Sequence, residues 1–294
     1  MLFSNAIPNL RKYKWVFSLL WVIFLALGLL VIFNIKSIDI FTADIRVVKP
    51  YFILPMLIGC ILNWGIEIKK WHVINSEGNL SWNNAIKGVL AGITTSLFFP
   101  LRTGGFFGRF FYANHISKTT LTKHLLLTNS CQQLVTIVLG VAALITLHKT
   151  SVIRIEGWVF FGLLIVLFAI IAIWWRDKIS FLFVKQALNQ IIFSTTRYLV
   201  FSAQLIMAFQ LFGVNLNIHE CLFIPVYWLL ISVIPVSFFG GLLVRETVGA
   251  SIFGVWLGYY EPAIVVALFV LWFINVFLPA LIGYAFWFKS MRKC

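Results

Sequence analysis

Long runs without a single charge constrain this chain more than any motif does. Residues 15–35, 157–175 and 263–288 contain no Asp, Glu, Lys or Arg. About 20 consecutive apolar residues, wound as a helix, reach across the roughly 30 Å hydrocarbon core of a bilayer. Such windows are therefore spanning-helix candidates. Composition points the same way. The chain is 61% hydrophobic and 11% charged, whereas a soluble domain carries about 25% charged residues. The loops between apolar runs are short. The expected fold is an all-α integral membrane protein, a polytopic helical bundle forming one domain over residues 1–294.

Nine segments are helix candidates: 15–35, 51–68, 86–113, 125–147, 157–175, 198–213, 220–238, 240–258 and 263–288. The second is expected to close at Lys69, Lys70 and Trp71. The first follows Arg11, Lys12 and Lys14 and has no small-residue cleavage pattern, so it reads as an uncleaved anchor. Treating 86–113 as re-entrant leaves most basic residues, including Lys185 and Arg197, on the cytoplasmic side. Both termini are then cytoplasmic. The expectation is about eight transmembrane helices with one or two broken or re-entrant segments, in the cell (cytoplasmic) membrane.

A net charge of +14 does not indicate nucleic acid, because the basic residues cluster at the ends of apolar runs. The partners expected from that placement are membrane lipids. Cys60, Cys131, Cys221 and Cys294 have no metal-ligand spacing and read as small apolar residues. His115 and His124 form no ligand set either. There is no nucleotide-binding loop, nucleophile elbow or pair of catalytic carboxylates. No enzyme activity, cofactor or metal is expected.

Two segments break the apolar pattern. In the first, Pro100, Arg102, Gly104, Gly105 and Arg109 interrupt 86–113. Proline removes a backbone donor and glycine weakens the helix. Free amides beside Arg102 and Arg109 suit an anion; composition alone favours the alternative, a cytoplasmic interfacial loop over 101–124 whose arginines touch lipid phosphates. In the second, Pro235, Ser237, Gly240 and Gly241 precede Arg245 and Glu246. A charge at membrane depth costs roughly 2.5–3.5 kcal/mol on insertion scales. Adjacent helical residues point about 100° apart, so Arg245 and Glu246 make poor mutual partners. Glu246 is expected to pair with Arg102 or Arg109, leaving Arg245 to a cavity or substrate. The alternative is a salt bridge that locks the packing.

Other polar residues are weaker signals. Glu67 is expected first to snorkel to the interface with Lys69 and Lys70; the second reading is a contribution to a polar cavity. Gln132, Gln133 and Gln204 read as interhelical hydrogen-bonding groups. Gly88/Gly92, Gly104/Gly108 and Gly254/Gly258 have the spacing that permits close helix packing. The two Pro…Gly-Gly interruptions form a faint internal echo, of a kind that marks substrate sites in some transporters.

The residues Pro235-Val-Ser237, Gly240-Gly241 and Val244-Arg245-Glu246 resemble the signature of the flippase-like family. That family is the transmembrane region of lysylphosphatidylglycerol synthase and its stand-alone relatives. Pro100-Leu-Arg102-Thr-Gly104 is similar to the family's other motif, with Gly105 where that motif has glutamate and Arg109 displaced by one residue. The resemblance implies a stand-alone member without an aminoacyl-transferase domain. It implies a lipid translocase that moves anionic or lipid-linked headgroups between leaflets through a polar cavity. Arg102, Arg109 and Arg245 would bind phosphate, and Glu246 would hold an arginine or meet a cationic headgroup. Two alternatives stand beside it: a secondary transporter of a small anion, and a non-catalytic membrane partner of an envelope or glycolipid biosynthesis enzyme.

Overall fold

The computed structural model describes residues 45–97, 104–149, 181–233 and 238–293. The candidate helices 15–35 and 157–175, and the residues Pro100, Arg102, Pro235, Ser237 and Cys294, lie outside them. The described residues are helical, with no strand among them.

Nine α-helices are described. They are α1 (Ile53–Ile74), α2 (Trp82–Ser96), α3 (Gly104–Tyr112), α4 (Lys118–Lys149) and α5 (Phe181–Leu211), followed by α6 (Phe223–Val233), α7 (Val244–Gly249), α8 (Glu261–Trp272) and α9 (Leu278–Lys293). A π-helical stretch, Ala250–Trp256, continues α7, and another, Phe273–Phe277, joins α8 to α9. Four helical runs are long and apolar enough to cross a membrane: Pro50–Ile74, Lys118–Lys149, Lys185–Leu211 and Glu261–Lys289. The Glu220–Ser232 run is apolar but shorter.

Local chemistry sets the ends. Pro55 sits in the first turn of α1, where the missing N–H had no helical acceptor to lose. Ser81 caps α2, accepting the Asn84 amide at 3.3 Å. Gly213, at φ 83°, ends α5, and the Val214 amide returns to the Phe209 carbonyl at 2.9 Å.

Within the candidate 86–113, the described helices α2 and α3 pack tightly and antiparallel. Gly88 and Gly92 of α2 face Arg109 and Gly105 of α3, and a Cβ on Gly108 would collide with the backbone of Ala91 and Gly92. The two small-residue spacings thus pack on each other. Gly258 has a different role from the one expected, since its surroundings are open and it ends the π-helical stretch at φ 74°. The two Gly-Gly pairs of the echo differ in conformation: Gly240 and Gly241 adopt positive φ, whereas Gly104 and Gly105 begin a right-handed helix.

Two more expectations change. Helix α1 runs past Lys69 and Lys70 to Ile74, and α5 begins well before residue 198, which places Arg197 inside a long apolar helix. The main core brings together Met56, Leu205, Phe209, Tyr227, Phe253, Ile264 and Leu268. A second cluster joins Trp71, Ile74, Val89, Leu121 and Leu125. Apolar residues also cover outer faces: along α1, Leu54, Leu57, Ile58, Ile61 and Leu62 are exposed.

Candidate functional site

Helices α1 and α5 run antiparallel, and each carries a polar stripe at i, i+4, i+7. On α1 it is Asn63, Glu67 and Lys70; on α5 it is Gln190, Ser194 and Arg197. Residues at that spacing share one helix face, and the two stripes meet. Arg197 donates through Nε to Asn63 Oδ1 at 2.7 Å and through Nη1 to Glu67 Oε2 at 2.7 Å. The same Nη1 reaches Gln132 Oε1 of α4 at 2.9 Å. Lys70 Nζ donates to Ser194 Oγ at 3.0 Å and lies 3.6 Å from Glu67 Oε2. Gln190 donates to the Lys70 carbonyl and accepts from Thr128 of α4. One turn beyond the stripe, Gly59 leaves room for Gln204, which donates to the Met56 carbonyl at 2.8 Å.

The third cation comes from the hairpin. Arg109 Nη2 donates to Glu67 Oε1. Its guanidinium lies 5.2 Å from the Trp71 ring, and that of Arg197 lies 5.0 Å from Trp64. One carboxylate therefore holds three cations in a region with little solvent. Side-chain exposure is 4% for Glu67, 0% for Lys70, 11% for Arg109 and 16% for Arg197. Desolvating charges is expensive, and a buried ion pair repays that only with close geometry and further hydrogen bonds. Glu67 has both: its oxygens take two arginines, and the arginine facing α1 is also bonded to Asn63 and Gln132.

The network extends to the second π-helical stretch. Asn63 donates to Asn275 Oδ1 at 3.2 Å, and Trp64 Nε1 donates to the Asn275 carbonyl at 2.8 Å. Cys60 Sγ donates to the Ile274 carbonyl at 3.1 Å. A π-helix releases carbonyls from the regular ladder, and α1 supplies their donors.

The second charged region is built differently. Gly240 and Gly241 adopt φ 68° and 87°, and Leu243 adopts φ 73°, a conformation uncommon for a residue with a Cβ. Helix α7 starts directly after, with Arg245 and Glu246 in its first turn. The Arg245 guanidinium lies 5.8 Å from the Phe201 ring, one turn along α5 from Arg197, and is within electrostatic reach of Arg197. Its Nε and Nη1 are buried without hydrogen-bond partners. Glu246 is 8% exposed, and neither carboxylate oxygen has a partner. The peptide groups of Leu243 and Glu246 approach it, outside hydrogen-bond geometry. Tyr227 of α6 is fully buried, its hydroxyl is also without a partner, and it lies within electrostatic reach of both charges.

Sequence reading had Arg102 or Arg109 as the partner of Glu246, and Arg102 lies outside the described residues. The structure gives Arg109 to Glu67, because the glycine-lined hairpin seats α3 against α2 and delivers Arg109 beside Trp71. Glu67 does not snorkel; it is the centre of the network. Arg197 is not a helix-end charge but its principal partner. Gln132 and Gln204 do make interhelical bonds, as expected. The separation of Arg245 from Glu246 also holds, since no salt bridge joins them among the described residues. Gly104, Gly105, Gly240 and Gly241 all sit at helix boundaries. His115 bonds the Gly78 carbonyl and His124 bonds Asn75, and the described residues hold no group of metal-ligating side chains. Glu67 was named with a polar cavity as its second reading, whereas the roles of Asn63, Lys70, Gln190, Ser194 and Arg197 were missed; they had a signal, two polar stripes with one period in two apolar helices.

Searches against protein-family models, characterised proteins and solved structures found nothing that matches the chain.

Proposed function

We propose that the chain is an integral membrane protein that binds phosphate-bearing lipid headgroups and moves them between leaflets. The observation that carries this reading is the contrast within one buried polar region. Glu67 is fully used by Arg109, Arg197 and Lys70, while Arg245, next to that cationic network, keeps two buried guanidinium nitrogens without partners. A guanidinium offers paired donors that fit a phosphate. Three cations around one acid also leave a positive field, which favours an anion at Arg245.

The membrane setting is supported by four long apolar runs and by the uncovered apolar face of α1. The full arrangement proposed is about eight crossings plus the re-entrant α2–α3 hairpin in the cytoplasmic membrane, with both termini cytoplasmic. The resemblance to the flippase-like family supports the same reading. Its first motif lacks the acid at Gly105, and Glu67 supplies a carboxylate to Arg109 in its place. Acyl chains stay in lipid, so only the headgroup needs desolvating.

The test is reconstitution of the full chain into liposomes containing fluorescent phosphatidylglycerol, with dithionite quenching of the outer leaflet. Wild type accelerates exchange between leaflets, and Arg245→Ala slows it about tenfold, the loss of one or two charge-assisted hydrogen bonds. No exchange above empty liposomes contradicts the reading.

One observation favours a second reading. A buried network in which both Glu67 oxygens are paired is also what a rigid scaffold needs, which suits a non-transporting partner of an envelope or glycolipid biosynthesis enzyme. That reading has Arg245→Ala and Glu246→Ala disturb complex formation with no change in lipid exchange.

A further inference from the structure

The proposed headgroup site contains a carboxylate that anion binding does not require. Glu246 follows Arg245 on α7, is buried, and has no hydrogen-bond partner at either oxygen. A carboxylate retained as an anion in such surroundings is costly. We infer that Glu246 takes up a proton when a phosphate headgroup binds Arg245, so that headgroup binding and protonation are linked. The inference rests on Arg245 being the phosphate-facing residue.

Among the described residues, the groups around Glu246 are few. Tyr227 is the single titratable residue of α6, and its unpartnered hydroxyl is within electrostatic reach. Helix α8 carries only Glu261, which lies at its start against Gly254. The π-helical stretch Ala250–Trp256 carries none. From α5, Arg197 reaches the Arg245 charge but is bonded to Glu67. Arg245 is therefore the cation that offsets Glu246. An anion at Arg245 cancels that charge and places a second negative group beside the carboxylate. Like charges in one desolvated site cannot both persist, and the carboxylate relieves the repulsion by taking a proton.

The balance is simple. One proton moves from bulk water to a Glu246 oxygen for each anion bound, no covalent bond to phosphorus changes, and nothing is oxidised. By reciprocity, protonation of Glu246 strengthens anion binding by the same factor that binding strengthens protonation. A proton gradient can then drive headgroup movement without a nucleotide.

Calorimetry on the purified full chain in detergent tests this. Dihexanoyl phosphatidylglycerol and its soluble headgroup, glycerophosphoglycerol, are titrated in buffers of different ionisation enthalpy over about pH 5 to 9. Neither ligand titrates in that window. Binding of the short-chain lipid alone makes the site a lipid-headgroup site, and binding of both makes it a general phosphodiester site; either supports the inference if protons are taken up. The expected result is uptake that peaks toward about one proton per anion in wild type. Uptake per anion bound falls to near zero in Glu246→Gln, and Glu246→Asp, which retains a titratable carboxyl, restores it. Binding to wild type with no uptake at any pH overturns the inference and leaves the headgroup site standing. Undiminished uptake in Glu246→Gln overturns it too. No binding of either ligand overturns the site itself, and the inference with it.

Discussion

Glu67 and Glu246 are both buried carboxylates beside arginine, yet the protein treats them in opposite ways. Glu67 receives two arginines and lies near a lysine. Glu246 receives no hydrogen bond among the described residues, and Nε and Nη1 of the arginine next to it are likewise buried without partners. The difference follows from where each sits. Glu67 lies mid-helix in α1, on a stripe that meets a matching stripe on α5 and a hairpin that delivers Arg109. Glu246 lies in the first turn of a short helix, directly after three residues with positive φ, where two neighbouring side chains diverge. A carboxylate paired at both oxygens holds helices together. Charges left unsatisfied at a backbone break are available to something that arrives.

Substitutions test that division, the largest effect first. Glu67→Ala strands three cations in one buried region. The cost expected for breaking a buried pair is about 3–5 kcal/mol, and thermal unfolding in detergent reads it as loss of the folded fraction. Survival of Glu67→Ala at wild-type stability would erase the contrast. Arg197→Lys keeps the charge but loses the fork that joins Asn63, Glu67 and Gln132. A loss of about 1–3 kcal/mol is expected, and a double-mutant cycle with Gln132→Ala shows coupling because the two side chains touch. Tyr227→Phe is the smallest. It removes a buried hydroxyl that has no partner, so stability changes by less than about 1 kcal/mol or rises, while lipid exchange or its pH profile shifts.

Much of the fold was legible because the bilayer imposes a simple rule on sequence. Charge-free runs such as 263–288 predicted the long helices, and α8, the π-helical stretch and α9 together fill that run. The hairpin was half legible. Glycine and proline announced a break within 86–113, and the Gly88/Gly92 and Gly104/Gly108 spacings announced close packing, but only the fold shows the two pairs facing each other. The angle between neighbouring helical positions was enough to separate Arg245 from Glu246. The partner of Arg109 was not legible, because Glu67 lies 42 residues away and its charge beside Lys69 and Lys70 read as a helix end. A buried salt bridge across helices depends on rotation and register, which one helix does not reveal. The i, i+4, i+7 stripes were the available clue, and they become informative when two are placed together.

The division between the two carboxylates is tested most directly by unfolding Glu67→Gln and Glu246→Gln side by side in the same detergent at neutral pH. Each change removes one charge and keeps side-chain shape. Glu67→Gln is expected to lower Tm by about 5 °C or more, and Glu246→Gln to leave it unchanged or raise it. Equal losses, or a larger loss at Glu246, would contradict the account.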